Sequence, residues 1–208
     1  MSPEEVLSLS PVMPVVVIDD VRCAGPMARA LLAGGVRTIE ITLRTAAALE
    51  AIRIIRDEAP EAVVGAGTVL NEADLYAALK AGASYALSPG GTPALLKAAT
   101  AAGMPFIPGV ATSSEIMTGF DLGYACFKFF PAENAGGAAV LKAFASPLPK
   151  AKFCPTGGIG PDKVASYLAL ANVMCVGGSW ITPADKMKAG DWAAVEALAK
   201  QAAAFKKT

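Results

Sequence analysis

Short apolar runs alternate along the chain with longer Ala/Leu-rich stretches whose apolar positions repeat at helical spacing. Brief runs rich in Val, Ile and Phe read as strands, and the longer amphipathic stretches read as helices. The pattern predicts strands over 13–17, 38–42, 63–66, 85–88, 106–108, 126–129, 152–155 and 174–177. It predicts helices over 21–33, 46–58, 72–81, 93–102, 113–122, 138–145, 162–170 and 192–205. Gly34-Gly35, Gly82, Gly103 and Gly123 stand where a helix hands over to a strand, as C-cap residues do. Strands that alternate with helices are joined by crossovers and run parallel. Eight such units close most economically into an α/β fold of the (β/α)8 TIM-barrel type, with an open doubly wound sheet as the competing architecture. A short extra N-terminal helix over 3–9 is expected to cover the bottom of the barrel. No linker or second unit interrupts the pattern, so 1–208 reads as one domain.

The 208 residues suffice for one well-buried domain, slightly short for a typical barrel of this type. Hydrophobic residues make up 54%, which excludes a disordered chain, and charged residues only 17%. Acids and bases number 18 each, so nothing in the charge points to nucleic acid or an anionic membrane as partner. The low charge density fits some surface hidden in an oligomer. The opening MSPEEVLSLS is acidic and has no long apolar run, unlike a secretory signal. Elsewhere Gly, Pro or charge breaks every apolar stretch before it could span a bilayer. A cytoplasmic protein is expected. Cys23, Cys126, Cys154 and Cys175 form no CxxC pair and read as small buried hydrophobes in a reducing compartment. Histidine is absent, which removes every triad, zinc site or acid–base scheme that needs imidazole. Catalysis would rest on Lys, Glu, Asp, Arg, hydroxyls and backbone.

In such a barrel, chemistry sits at the C-terminal ends of the strands and in the loops beyond them. On the second strand Glu40, Thr42 and Arg44 share one face, while Ile39, Ile41 and Leu43 share the other. The apolar face packs on helices, so the polar face points inward, as a structural ion pair or as a working site. On the sixth strand Lys128 and Phe130 share a face within an aromatic run. If that face is inward, desolvation disfavours the ammonium, and a neutral amine can attack a carbonyl; an outward lysine would only snorkel. Facing inward, Glu40 and Lys128 would bring a proton-transfer group and a nucleophile to one pocket. Gly157-Gly158 and Gly177-Gly178-Ser179 follow the last two strands, where this fold recurrently binds phosphate. Tight turns alone are the competing reading for either loop. Thr68 ends the third strand, and Ser88-Pro89-Gly90 ends the fourth.

The blocks EITLRT at 40–45, VGAGTVLN at 64–71, SPG at 88–90, FKFFPAEN at 127–134, FCPTGGI at 153–159 and VGGSW at 176–180 carry a resemblance. Together, over 11–205, the chain closely resembles the 2-keto-3-deoxy-6-phosphogluconate (KDPG) and 4-hydroxy-2-oxoglutarate (KHG) aldolase family. The resemblance implies a class I lyase of the Entner–Doudoroff pathway, cleaving KDPG to pyruvate and glyceraldehyde 3-phosphate. It implies that Lys128 forms the Schiff base and Glu40 is the general acid/base. Arg44 and Thr68 would contact the pyruvyl carboxylate, and Gly157, Gly158, Gly178 and Ser179 the phosphate. Pro89 and Phe130 complete the expected substrate-binding set. The family implies a homotrimer with no metal and no cofactor. Rival readings are KHG or the galactonate-derived epimer as substrate, a phosphosugar isomerase or epimerase using Glu40 without a covalent step, and a non-catalytic barrel that binds phosphate ligands.

Overall fold

A computed structural model describes residues 1–206. Strands β1 (Val12–Val16), β2 (Thr38–Thr42), β3 (Val63–Gly67), β4 (Tyr85–Leu87) and β5 (Phe106–Ile107) are followed by β6 (Gly109–Val110), β7 (Cys126–Phe129), β8 (Lys152–Pro155) and β9 (Val176–Gly178). Every pairing is parallel. A curled six-stranded sheet has the order β5-β4-β3-β2-β1-β9, and a three-stranded sheet has the order β6-β7-β8. The strand expected over 106–108 therefore appears as two short pieces flanking Pro108. Proline has no N–H for a ladder, but its carbonyl accepts from Lys128 N–H at 2.9 Å. On the other side, isolated bridges join Phe153 to Val173 and Thr156 to Gly177.

Helices α1 (Pro3–Ser8), α2 (Ala24–Ala33), α3 (Ala48–Glu58), α4 (Glu72–Ala81), α5 (Pro93–Ala102), α6 (Ser113–Asp121), α7 (Gly137–Phe144), α8 (Val164–Leu168), α9 (Ala184–Ala189) and α10 (Trp192–Ala203) surround the strands. Their starts follow local chemistry. Asn71 caps α4, Thr92 caps α5, and Thr112 with Glu115 forms a capping box on α6. The sequence pattern did not predict α9. It is one short polar turn, closed by Gly190 at φ +66°, after which Asp191 caps α10.

The period-two pattern splits the core. Outward residues such as Ile39, Ile41, Val64, Phe106, Phe127 and Phe153 pack under the helices. Inward residues Met13, Tyr85, Leu87, Ile107, Cys126, Cys154 and Cys175 form a separate cluster, and Val6 and Leu7 of α1 close onto it. The N-terminal helix thus seals this end, as expected. Burying one large side chain such as Leu7 contributes roughly 1.5–3 kcal/mol. Tyr85 fills the interior because Gly65 leaves it room: a Cβ there would lie 2.3 Å from the ring. Its hydroxyl shares a 2.8 Å hydrogen bond with Thr38.

Candidate active site

Above this apolar plug the interior turns polar. Glu40 on β2 and Lys128 on β7 are 0% and 4% exposed. Although 88 residues apart in the chain, they meet in the interior, where Lys128 Nζ donates to Glu40 Oε1 at 2.7 Å. Phe130, one pleat further along, lies with its ring centroid 5.7 Å from the same nitrogen. Gly67 makes the geometry fit, since a Cβ there would lie 2.0 Å from Glu40 Oε1. Glu40 Oε2 is buried without a hydrogen-bond partner. A buried pair of this kind contributes little to stability, because desolving two charges offsets their attraction. One carboxylate oxygen therefore holds the lysine, and the other can act on a third group.

A cavity of about 510 Å³ opens at the C-terminal ends of the strands, its wall formed by residues just beyond the pair, Arg44 after Glu40 and Phe130 after Lys128. Arg44, Thr68, Pro89, Phe130, Gly157, Gly158, Gly178 and Ser179 all line it. All eight sequence-predicted binding residues are thus at one mouth, with Lys128 and Glu40 beneath it. Arg44 is exposed, and its Nε donates to Thr68 Oγ1 at 3.4 Å. Thr68 has φ 60°, a left-handed conformation that is costly for a β-branched residue. That strain turns the chain sharply after β3 and keeps the hydroxyl beside the guanidinium. Gly157 and Gly158 adopt φ 108° and 78°, which other residues rarely reach.

Thr156 and Trp180 also line the cavity, though sequence reasoning singled out neither. Thr156 continues the inward face of β8 two residues beyond Cys154, and strand alternation could have found it. Gly177 accommodates its hydroxyl: a Cβ there would lie 2.1 Å from Thr156 Oγ1. Trp180 turns its buried, unpartnered Nε1 toward Gly178, and no periodic signal marks it. Among the described residues no cluster of three or more Cys, Asp or Glu could hold a metal ion, and no helix is long and apolar enough to cross a membrane.

A parallel α/β fold with a lysine–carboxylate pair under a glycine-rimmed cavity defines the class of protein: an α/β protein built for chemistry on a small polar molecule. The family model described as KDPG and KHG aldolase matches residues 4–198, so the chain belongs to that family. A 2-dehydro-3-deoxy-phosphogluconate aldolase of Dickeya dadantii is 54% identical over 203 residues, covering 98% of this chain and 95% of that one. The crystal structure of 2-keto-3-deoxy-6-phospho-gluconate aldolase from Zymomonas mobilis superposes with a TM-score of 0.96 at 50% identity, covering 100% and 99% of the two chains. A Legionella pneumophila KDPG aldolase, with pyruvate captured as a covalent carbinolamine, superposes with a TM-score of 0.96 at 44% identity over 98% and 99%.

Proposed function

We propose that this chain is a class I aldolase that cleaves KDPG to pyruvate and glyceraldehyde 3-phosphate. The observation that carries the reading is the 2.7 Å contact between Lys128 Nζ and Glu40 Oε1 beneath the cavity. Glu40 takes the ammonium proton across that hydrogen bond. Neutral Lys128 then attacks the C2 ketone, giving the carbinolamine, the species captured with pyruvate in the Legionella relative. Glu40 returns the proton to the departing hydroxide, which leaves as water, and an iminium remains. The carboxylate next takes the proton of the C4 hydroxyl. The C3–C4 bond breaks, its electron pair flows to the iminium nitrogen, and glyceraldehyde 3-phosphate departs. Glu40 protonates the enamine at C3, and water releases pyruvate from Lys128.

Arg44 and Thr68 hold the pyruvyl carboxylate, since a guanidinium fork matches two oxygens. Pro89 and Phe130 wall the reacting carbons. Gly157, Gly158, Gly178 and Ser179 receive the phosphate on backbone and hydroxyl donors. KHG is a second substrate of the same apparatus, in keeping with the family description. We further propose that β5 and β6 are one strand broken at Pro108, so that eight parallel strands close a (β/α)8 barrel. The bridges of Thr156 to Gly177 and Phe153 to Val173 support that closure. Residues 1–208 then form a single catalytic domain, assembled as a homotrimer in the cytoplasm.

The test is covalent trapping. Pyruvate and borohydride are added, and the intact protein and its peptides are weighed. One reduced pyruvyl adduct on Lys128 is expected. Folded protein that forms no adduct removes the Schiff-base mechanism and leaves a non-covalent isomerase or a binding barrel.

A further inference from the structure

A cluster behind the cavity wall has no part in the proposed chemistry. Glu133 follows β7, and both its carboxylate oxygens are engaged. Tyr167 Oη donates to Oε1 at 2.5 Å, and Lys163 Nζ donates to Oε2. Lys163 is the N-cap residue of α8, and Tyr167 lies within that helix, buried. The backbone is tied in the same direction. Glu133 N–H donates to the Gly157 carbonyl at 3.1 Å, and Ala132 N–H donates to the Thr156 carbonyl at 2.8 Å. The Glu133 side chain lies against Gly158, where an added Cβ would meet its Cγ at 2.9 Å. The Gly157-Gly158 turn is thus pinned by two backbone bonds and backed by one carboxylate, which also fastens the helix that follows the turn.

Two adjacent glycines form the loosest of backbones, and donors left loose must be ordered when a ligand binds. Hydrogen bonds to an ionised carboxylate are among the stronger ones. The Lys163 ammonium, then the Tyr167 hydroxyl, hold the Glu133 carboxyl below the usual carboxylate range. The cluster therefore keeps its charge at neutral pH. Lys128, by contrast, is fixed within β7 and does not depend on this turn.

We infer that Glu133, clasped by Lys163 and Tyr167, is a positioning residue that holds the Gly157-Gly158 turn in place for the substrate's phosphate. The inference rests on the aldolase reading above. Glu133→Gln removes the charge at constant size, and Tyr167→Phe removes only one donor. KM and kcat are measured on the full-length enzyme for KDPG and for unphosphorylated 2-keto-3-deoxygluconate. Inhibition by inorganic phosphate and borohydride trapping of pyruvate are followed in parallel.

Both variants are expected to raise KM for KDPG about tenfold, the scale of a small misplacement of binding groups, and to weaken phosphate inhibition alike. KM for the unphosphorylated compound and the trapping rate should not move. Equal losses on the two compounds, or an unchanged KM for KDPG in Tyr167→Phe, overturn the inference; that variant decides the matter if Glu133→Gln fails to fold. Wild-type protein that traps no pyruvate is a different failure, since it removes the aldolase reading itself.

Discussion

Two glycines on β3 separate the chemistry from the core beneath it. Gly65 and Gly67 sit on the same inward face, one pleat apart, and each is shaped by one neighbour. A Cβ at Gly67 would stand 2.0 Å from Glu40 Oε1, and one at Gly65 would stand 2.3 Å from the Tyr85 ring. Gly67→Ala should therefore push the Glu40 carboxylate off Lys128, and turnover should fall by about 10²–10⁴, as when a general acid/base is lost. Gly65→Ala should cost about 1–3 kcal/mol through overpacking against a buried ring, with much less effect on kcat. Urea melts and steady-state rates on the pair check this; similar kcat losses in both variants would mean the Glu40 position is not what Gly67 protects. Residues of this kind were legible when strand alternation exposed them. A lysine inside Cys-Phe-Lys-Phe-Phe and a glutamate inside Ile-Glu-Ile have no apolar reason to point inward, so their placement could be read before their contact. Thr156, Trp180 and Glu133 were not read. Trp180 and Glu133 lie beyond strand ends in glycine-rich turns, where neighbours are set by the tertiary fold rather than by period, whereas Thr156 extends the inward alternation of β8 just past its end.

Among the elements, legibility followed end signals more than length: α4 lies between the Asn71 cap and Gly82, whereas the longer α3 and α10 were each read two residues too long. β2 spans Thr38–Thr42 and α4 spans Glu72–Ala81, as the pattern predicts. The misses have local causes. Pro108 divides a strand whose apolar pattern runs through it, since a ladder needs N–H groups and hydropathy does not record them. α9 is six residues long and, unlike α1 of the same length with its Ser2 capping box, has no side-chain cap to mark its start. The N-terminal helix was read correctly as a cover, and its worth can be measured. Ser2 caps it with a reciprocal capping box, and Val6 and Leu7 are fully buried against the interior cluster. Leu7→Ala should lower unfolding stability by about 2–5 kcal/mol, the range for deleting a buried leucine. The cavity lies beyond the opposite end of the strands, so KM for KDPG should be unchanged. A loss well below that range would mean α1 only rests on the core.

At the scale of the whole molecule, the interior cluster makes stability depend on alkali. Cys126 is pushed up to about 11 by burial, with a smaller push from Glu4 and an opposing pull from the Lys152 ammonium. Cys175 is raised well above its ordinary 9.0, first by its hydrogen bond with Cys154 and then by burial. Burial likewise raises Tyr85 well above 10.0, against the opposing hydrogen bond from Thr38. All three groups keep their protons in the fold at a pH where the unfolded chain has begun to release them. Their contribution is complete below the unfolded value and is lost as pH rises toward the folded one. Urea midpoints should therefore fall progressively above pH 9.0, the ordinary thiol value, and Cys126→Ser should leave part of that slope in place. The same burial governs reactivity, since the thiolate is the nucleophile. Of the four cysteines, only Cys23 is not buried, and burial raises its thiol as well. An aromatic disulfide reagent at pH 8 should label at most that one thiol quickly in native protein, and all four in urea. Rapid native labelling of Cys154 or Cys175 would mean that the interior opens far more readily than a sealed plug of Val6, Leu7, Met13 and Tyr85 allows. The polar layer above it, with the Lys128–Glu40 pair, would then share its floor with solvent.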